Sequence, residues 1–191
     1  AARLRIDDVG YLNAMLDDAL ARFPIDPARV FIAGFSNGAG LALRAAVDLS
    51  ERFAAVAAIA GHLWKKEPAP RRPRSLLYMI GDDDPMVPRL GGIVQSPWGK
   101  THVLPPVLDT VETWAGWLGC EGPPTQSEPK PGVLVSRYQS RKSNERVEYY
   151  RLAGTGHVWP GGPALLADRI AGPASSIIDA TDEIVRFFMG S

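Results

Sequence analysis

Short apolar runs alternate with longer amphipathic segments through most of the chain. The runs 29–34, 53–60 and 76–80 are nearly free of polar residues, which is typical of strands buried on both faces of a sheet. The alanine-rich run 53–60 also fits a helix, but the glycine that follows it favours a strand. Apolar residues recur at helical spacing over 7–23 and 37–49. The alternation predicts an α/β fold with a mostly parallel sheet and helices on both faces.

The second half of the chain continues the same alternation with more turns and loops. Val107, Val111, Trp114 and Leu118 form a helical stripe that ends at Gly119. The remaining predictions are a loop over 61–73, irregular chain over 81–105, a hairpin of strands 133–139 and 146–152, a glycine-rich loop over 154–162 and a last helix over 177–188.

Length and charge narrow the class of protein. A chain of 191 residues fits one domain, 1–191. Lys+Arg and Asp+Glu both number 21, so there is no basic excess of the kind that nucleic-acid or membrane-surface partners favour. No apolar run approaches the ~20 residues of a membrane helix. With Cys120 alone, no intrachain disulfide and no cysteine-rich metal site is expected.

The segment from Gly34 to Gly38 has the pattern Gly-x-Ser-x-Gly between a predicted strand and a predicted helix. In such an elbow the serine sits on a tight, strained turn, with its hydroxyl raised above the sheet. Bulky side chains at either glycine are expected to collide with this turn. Ser36 is therefore the candidate nucleophile, and the N–H of Asn37 is a candidate oxyanion donor. The alternative is a glycine-rich turn with an incidental serine.

A serine nucleophile needs a base, and the chain offers only His62, His102 and His157. His157 lies in a glycine-rich loop between a predicted strand and the last helix, and the order serine, acid, histidine suits a serine elbow of this kind. His62 follows the second buried run and could line the substrate pocket. His102 is expected to be a surface residue.

The candidate acid lies in the run Asp82-Asp83-Asp84-Pro85, which directly follows the third buried run. Three adjacent side chains cannot all reach one histidine, and Pro85 restricts Asp84 to an extended conformation that suits a fixed acceptor. Asp84 is favoured as the acid, and Asp82 and Asp83 are expected to be solvated. A solvated loop or a weak cation site is the alternative for the whole run.

Three ordered motifs carry a family resemblance. Gly34–Gly40 (GFSNGAG), Gly81–Pro88 (GDDDPMVP) and Gly154–Gly162 (GTGHVWPGG) resemble the polyhydroxybutyrate depolymerase-like esterases, which are close to feruloyl and acetylxylan esterases of the α/β-hydrolase fold. The resemblance covers nearly all of the chain. It implies hydrolysis of carboxylic esters without a cofactor or metal, Asp84 as triad acid and His157 as base. It also suggests a secreted protein.

The resemblance implies further features of the site and of the chain's boundaries. Trp159 stands beside the base and would form a wall of an apolar acyl or aromatic pocket; Trp64 and Trp98 are weaker candidates. Family members often have a disulfide partner for the cysteine at the position of Cys120, and this sequence has none. They also have several strands before the elbow strand, including a loop that supplies a second oxyanion donor.

The chain is therefore interpreted as an N-terminally shortened α/β-hydrolase domain. Its elbow strand is expected to lie at an open sheet edge, where a homodimer or other self-association would cover it. The expected function is acyl-enzyme hydrolysis of short-chain or aromatic (hydroxycinnamoyl-type) esters, with polyester oligomers as further substrates. The alternatives are a peptidase or thioesterase of the same fold, and a weak or inactive remnant that acts as a binding module.

Overall fold

The computed structural model describes residues 6–64, 67–95 and 99–190, and a six-stranded sheet forms its centre. The strand order is β1-β2-β3-β8-β7-β6. The first four are parallel neighbours, and β7 and β6 are antiparallel. The bounds are β1 (Phe31–Phe35), β2 (Ala55–Ile59), β3 (Ser75–Gly81), β6 (Thr125–Lys130), β7 (Val133–Gln139) and β8 (Arg146–Leu152); β4 (Gly92–Gln95) and β5 (Thr101–Leu104) form a separate hairpin.

The second and third apolar runs became the central strands β2 and β3, as predicted. The first run, 29–34, became β1, but the prediction that it is buried on both faces was wrong, because β1 lies at the edge of the sheet and none of its residues is fully buried. Every residue of β2 and β3 is buried, so both faces of the middle of the sheet are covered. The helices are α1 (Asp8–Arg22), α2 (Asn37–Asp48), α3 (Val107–Trp117), α4 (Asp168–Ala171) and α5 (Ala180–Met189). The predicted α/β fold with a mostly parallel sheet is thereby confirmed.

Several elements differ from the prediction. The stretch 81–105, expected to be irregular, contains the β4–β5 hairpin, and β6 was not predicted at all. Every residue of β6 is exposed, so its polar sequence carries no strand pattern, and its pairing with β7 defines it. The last helix begins at Ala180 rather than at 177 because the Asp179 carboxylate accepts hydrogen bonds from the Thr181 and Asp182 amides.

The elbow strand lies at the edge of the sheet within the described residues. There β1 pairs only with β2, and the middle residue of the strand, Ala33, is exposed. At the far side of the sheet, Cys120 pairs through its backbone with Ser140, the region where the resemblance places a disulfide partner. None of the described helices is long and apolar enough to cross a membrane.

Candidate active site

The serine elbow lies between β1 and α2. Ser36 has φ 54° and ψ −120°, a left-handed conformation that costs a non-glycine residue roughly 1–2 kcal/mol. Its N–H donates to the Ile59 carbonyl of β2 (2.8 Å), and its carbonyl accepts from the Gly40 N–H (3.1 Å). The Ser36 side chain does not cap the helix, so its hydroxyl is left for another partner.

The glycines of the elbow contribute differently from the prediction. A Cβ on Gly34 would collide with the backbone of Gly38 and Ala39, as expected. The collision predicted at Gly38 was wrong, because a Cβ there meets no atom within 4 Å. The Gly38 carbonyl, and not its Cα, faces the turn.

Sequence reasoning missed a third glycine, Gly61, which directly follows β2. A Cβ on Gly61 would lie 2.6 Å from both the Ser36 carbonyl oxygen and the Ala39 Cβ. The Tyr78 hydroxyl donates to the Gly61 carbonyl (2.5 Å) and accepts from the Gly61 N–H (3.2 Å). Tyr78 is fully buried, and burial raises the pKa of its hydroxyl well above the usual value. A neutral Tyr78 therefore holds Gly61 beneath the elbow, and a glycine that ends a buried strand was the available signal.

The structure brings Ser36, Asp84 and His157 together from three separate strand ends. His157 Nε2 lies 2.8 Å from Ser36 Oγ, and His157 Nδ1 lies 2.8 Å from Asp84 Oδ2. With its proton on Nδ1, the imidazole donates to the carboxylate and accepts from the serine hydroxyl. Asp84 and His157 are both buried, which keeps this chain of hydrogen bonds away from competing water.

Backbone contacts fix the Asp84 carboxylate in its orientation. Asp84 Oδ1 accepts hydrogen bonds from the N–H groups of Met86 (2.8 Å) and Val87 (2.7 Å). These bonds occupy one carboxylate oxygen and leave Oδ2 for His157. The turn after Pro85 thus presents the acid to the base in a single geometry.

The two preceding aspartates have different surroundings. Asp83 is exposed, as expected, but the prediction that Asp82 is solvated was wrong. Asp82 accepts from Arg151 at 3.1 and 3.0 Å and pairs with Arg89 at 3.0 Å. Arg151 stands opposite Ile80 in the β3–β8 pair, so the sheet register brings its guanidinium to the end of β3. In the described part of the chain, no group of three metal-ligating side chains is close enough to hold an ion.

The loop that carries His157 is tied to the segment around α4. The His157 N–H donates to the Ala171 carbonyl (2.5 Å), and the Gly156 N–H donates to the Pro173 carbonyl (2.8 Å). Gly156 has no space for a Cβ because the backbone of Ala171 and Gly172 lies against it. The sequence analysis missed this support, and the pair Gly172-Pro173, which stops a helix, was its only signal.

The candidate oxyanion donor lies at the start of α2. Asn37 is the first residue of the helix, and N–H groups in the first turn have no acceptor within the helix. The positive end of the helix dipole adds to the attraction for a negative oxygen. The Asn37 N–H directly follows Ser36 and has no acceptor within the helix, so it remains the candidate oxyanion donor.

The candidate substrate-binding residues occupy different positions. Trp159 is half-buried, and its indole N–H donates to Thr181 Oγ1 (3.1 Å). His62 is buried, and Trp64, next to it, is exposed. His102 is exposed, as predicted, but it lies in β5 and not in a loop. Trp98 lies outside the described residues.

Two cavities lie away from these residues. One of about 440 Å³ is lined at the start of β2 and β3 by residues that include Ala54 and Arg74. Ser36, Asp84 and His157 stand at the opposite, carboxyl ends of the strands. The hydrogen-bonded chain of Ser36, His157 and Asp84 therefore marks the candidate site.

Comparison with known proteins identifies the family of the chain. A model of the phospholipase/carboxylesterase family matches residues 6–102. The chain is 30% identical to feruloyl esterase B of Piromyces equi over 79% of its length, and 24% identical to poly(3-hydroxyalkanoate) depolymerase C of Paucimonas lemoignei over 88%. It spans only 29% and 44% of these two relatives.

The fold also matches solved structures. The acetyl xylan esterase from Aspergillus awamori superposes with a TM-score of 0.61 at 15% identity, over 96% of this chain and 67% of that one. Esterase PE8 superposes with a TM-score of 0.52 at 19% identity, over 94% of this chain and 58% of that one. The chain has the α/β-hydrolase fold and belongs to the phospholipase/carboxylesterase family.

Proposed function

We propose that this chain is a serine hydrolase of carboxylic esters that acts through an acyl-enzyme. The observation that carries the proposal is the hydrogen-bonded chain from Ser36 through His157 to Asp84, with both links at 2.8 Å. A nucleophile, a base and an orienting acid in direct contact are the parts that acyl transfer requires. The family match supports esters as the substrate class.

Each residue of the triad has one role in the proposed mechanism. His157 takes the proton from the Ser36 hydroxyl as Oγ attacks the ester carbonyl, and the Asn37 N–H binds the oxyanion. His157 then gives that proton to the departing alcohol, which leaves an acyl group on Ser36. Water, deprotonated by His157, releases the acid and restores the serine. Asp84 stabilises the imidazolium in both halves.

The finer substrate class is part of the proposal. We propose short-chain or aromatic esters of the hydroxycinnamoyl type, with polyester oligomers as further substrates. The names of the relatives, a feruloyl esterase, a polyhydroxyalkanoate depolymerase and an acetyl xylan esterase, support this range. Trp159, two residues after His157, is the proposed wall of a pocket for an aromatic or acyl group.

The decisive experiment uses p-nitrophenyl acetate and butyrate with the parent and a Ser36→Ala variant. We expect the variant to lose at least about 10⁴-fold in kcat, since the remaining groups provide only modest acceleration. Ser176→Ala, which changes an exposed serine, is the matched control. Retained turnover in purified Ser36→Ala would show that Ser36 is not the nucleophile.

A fluorophosphonate probe separates an enzyme from a non-catalytic remnant. Covalent labelling at Ser36 that His157→Ala removes supports an active hydrolase, and the buried, paired base favours this outcome. Absence of labelling in the folded parent supports a binding module. A panel that adds a thioester and a peptide substrate separates an esterase from a thioesterase or peptidase of the same fold.

We further propose that a second copy of the chain covers the β1 edge. An open strand edge invites pairing, and large apolar side chains are exposed on α1 and in the segment that leads into β1. These are Tyr11, Met15, Phe23 and Ile25. Sedimentation velocity should show a dimer that Ala33→Lys converts to monomer. A monodisperse parent monomer would overturn this proposal.

A further inference from the structure

His62 is a buried polar side chain for which the described residues offer no hydrogen-bond partner. It is only 3% exposed, and neither ring nitrogen has a partner among the described residues. An unpaired buried donor or acceptor destabilises the folded protein. Such a group calls for an explanation, and a bound molecule that supplies the missing hydrogen bond is one.

The ring of His62 stands in the wall of the candidate active site. The preceding residue, Gly61, packs beneath the Ser36 carbonyl, and the following residue, Leu63, donates its N–H to Thr110 Oγ1 of α3 (3.1 Å). The carboxylates of Asp84 and Asp109 are close enough to act on the pKa of His62. The imidazole therefore lies between the serine elbow, α3 and the acid loop, which is the loop after β3 that carries Asp84.

One movable side chain lies over His62. The rings of His62 and Trp64 have centroids 5.3 Å apart and are tilted by 57°. The indole also lies near the start of α2, where a Cβ on Gly40 would be 3.8 Å from it. Trp64 is 66% exposed, so its ring can turn outward into solvent without opening the core.

The protonation state of His62 defines the chemistry of its partner. Burial lowers the pKa of His62, and the nearby Asp109 and Asp84 only partly oppose this effect. A neutral imidazole carries one N–H donor and one acceptor nitrogen. A hydroxyl group can both donate and accept a hydrogen bond, so it can pair with either nitrogen of the ring.

We propose that His62 is a specificity-determining residue that binds a hydroxyl group of the ester substrate, at the place that the Trp64 ring holds in the free protein. The inference rests on the proposed ester hydrolysis and adds a preference within it. A substrate with the hydroxyl satisfies a nitrogen that is otherwise unpaired, and a substrate without it leaves that nitrogen unpaired.

The test compares ester pairs that differ by one hydroxyl. One pair is p-nitrophenyl butyrate with p-nitrophenyl 3-hydroxybutyrate, and the other is ethyl butyrate with 2-hydroxyethyl butyrate. In at least one pair, the parent should favour the hydroxylated ester by about 10- to 100-fold in kcat/KM, the range that one buried unpaired group implies. His62→Phe should reduce this ratio to about 1, and His62→Gln should restore part of it.

The exposed histidine provides a matched control. His102→Phe removes an exposed imidazole on β5 and should leave the parent ratio unchanged. A ratio within one protein does not depend on the fraction that is folded, so a weakened variant is still informative. If His62→Phe does not fold, His62→Gln and the parent ratio decide.

Two results overturn the inference. One is a parent that shows no preference in either pair, and the other is a preference that His62→Phe leaves intact. Both occur with an active, Ser36-dependent esterase, so the proposed function survives them. A parent that hydrolyses no ester and resists the fluorophosphonate probe refutes the proposed function itself, and the inference with it.

Discussion

The contact between Tyr78 and Gly61 predicts a measurable link between the core and the nucleophile. Tyr78→Phe removes a hydroxyl that serves both the Gly61 carbonyl (2.5 Å) and the Gly61 N–H (3.2 Å). Both backbone groups are buried with the residue, and each buried group left unpaired costs about 1–3 kcal/mol. The ring itself remains, so no large cavity forms. We therefore expect the free energy of unfolding to fall by about 2–4 kcal/mol.

The same change should slow catalysis, because Gly61 packs directly beneath the Ser36 carbonyl. A displaced elbow moves Oγ from His157 and from the oxyanion site, and small misplacements in an active site have large effects. We expect kcat for p-nitrophenyl butyrate to fall about 10-fold with KM nearly constant. Urea unfolding of the parent and the variant measures the loss of unfolding free energy, provided that the m-value is the same for both proteins.

Tyr149→Phe is the matched control for Tyr78→Phe. The two rings are neighbours, with centroids 6.0 Å apart, but the Tyr149 hydroxyl makes no hydrogen bond to the described residues. Its loss should change stability by less than about 0.5 kcal/mol. If both variants lose the same stability, or if Tyr78→Phe keeps full kcat, Gly61 does not depend on this hydroxyl in the way described.

Three further predictions follow from the glycines, the acid and the buried histidine. Gly61→Ala places a Cβ 2.6 Å from the Ser36 carbonyl oxygen and should lower the free energy of unfolding by at least about 2 kcal/mol. Gly38→Ala adds a Cβ in open space within α2 and should raise the free energy of unfolding by about 0.5–1 kcal/mol. Urea unfolding that ranks the two variants in the reverse order contradicts the contact geometry. Asp84→Asn presents an amide N–H to His157 and favours the wrong tautomer, so kcat should fall by about 10⁴-fold; a change below 10-fold in p-nitrophenyl ester turnover would remove Asp84 from the triad. The pKa of His62 is lowered on folding from 6.5, so below that pH the unfolded chain binds more protons and stability falls as pH falls; His62→Gln should flatten this part of the stability–pH curve, and an unchanged slope in thermal unfolding refutes the assignment.

The central strands and the triad were predictable because their signals are local. β2 and β3 are short uninterrupted apolar runs, and the glycine after the alanine-rich run of β2 separates a strand from a helix. Ser36 lies in a pattern whose strand and helix neighbours are visible in the sequence. Asp84 and His157 follow from chain order and from the motifs around them.

The features that were missed depend on partners far away in the sequence. The state of Asp82 is decided by Arg151, which only the β3–β8 register brings beside it. β6 is polar throughout and is a strand only because β7 offers an unpaired edge. The burial of His62 arises from the packing of α3 and the acid loop around it, and no pattern in residues 61–64 indicates this.

The pairing of β8 with β3 has a consequence for folding kinetics. Leu76 pairs with Val147, so this parallel contact closes a long loop, and long-range parallel pairing is intrinsically slow. The serine elbow, β2 and Asp84 lie close together in sequence, within residues 31–84. His157 follows β8 and reaches the site only when β8 pairs with β3. We therefore expect the nucleophile and the acid to be in place before the base. In a refolding experiment, the return of the proposed esterase activity should then follow the docking of β8 rather than the formation of the elbow.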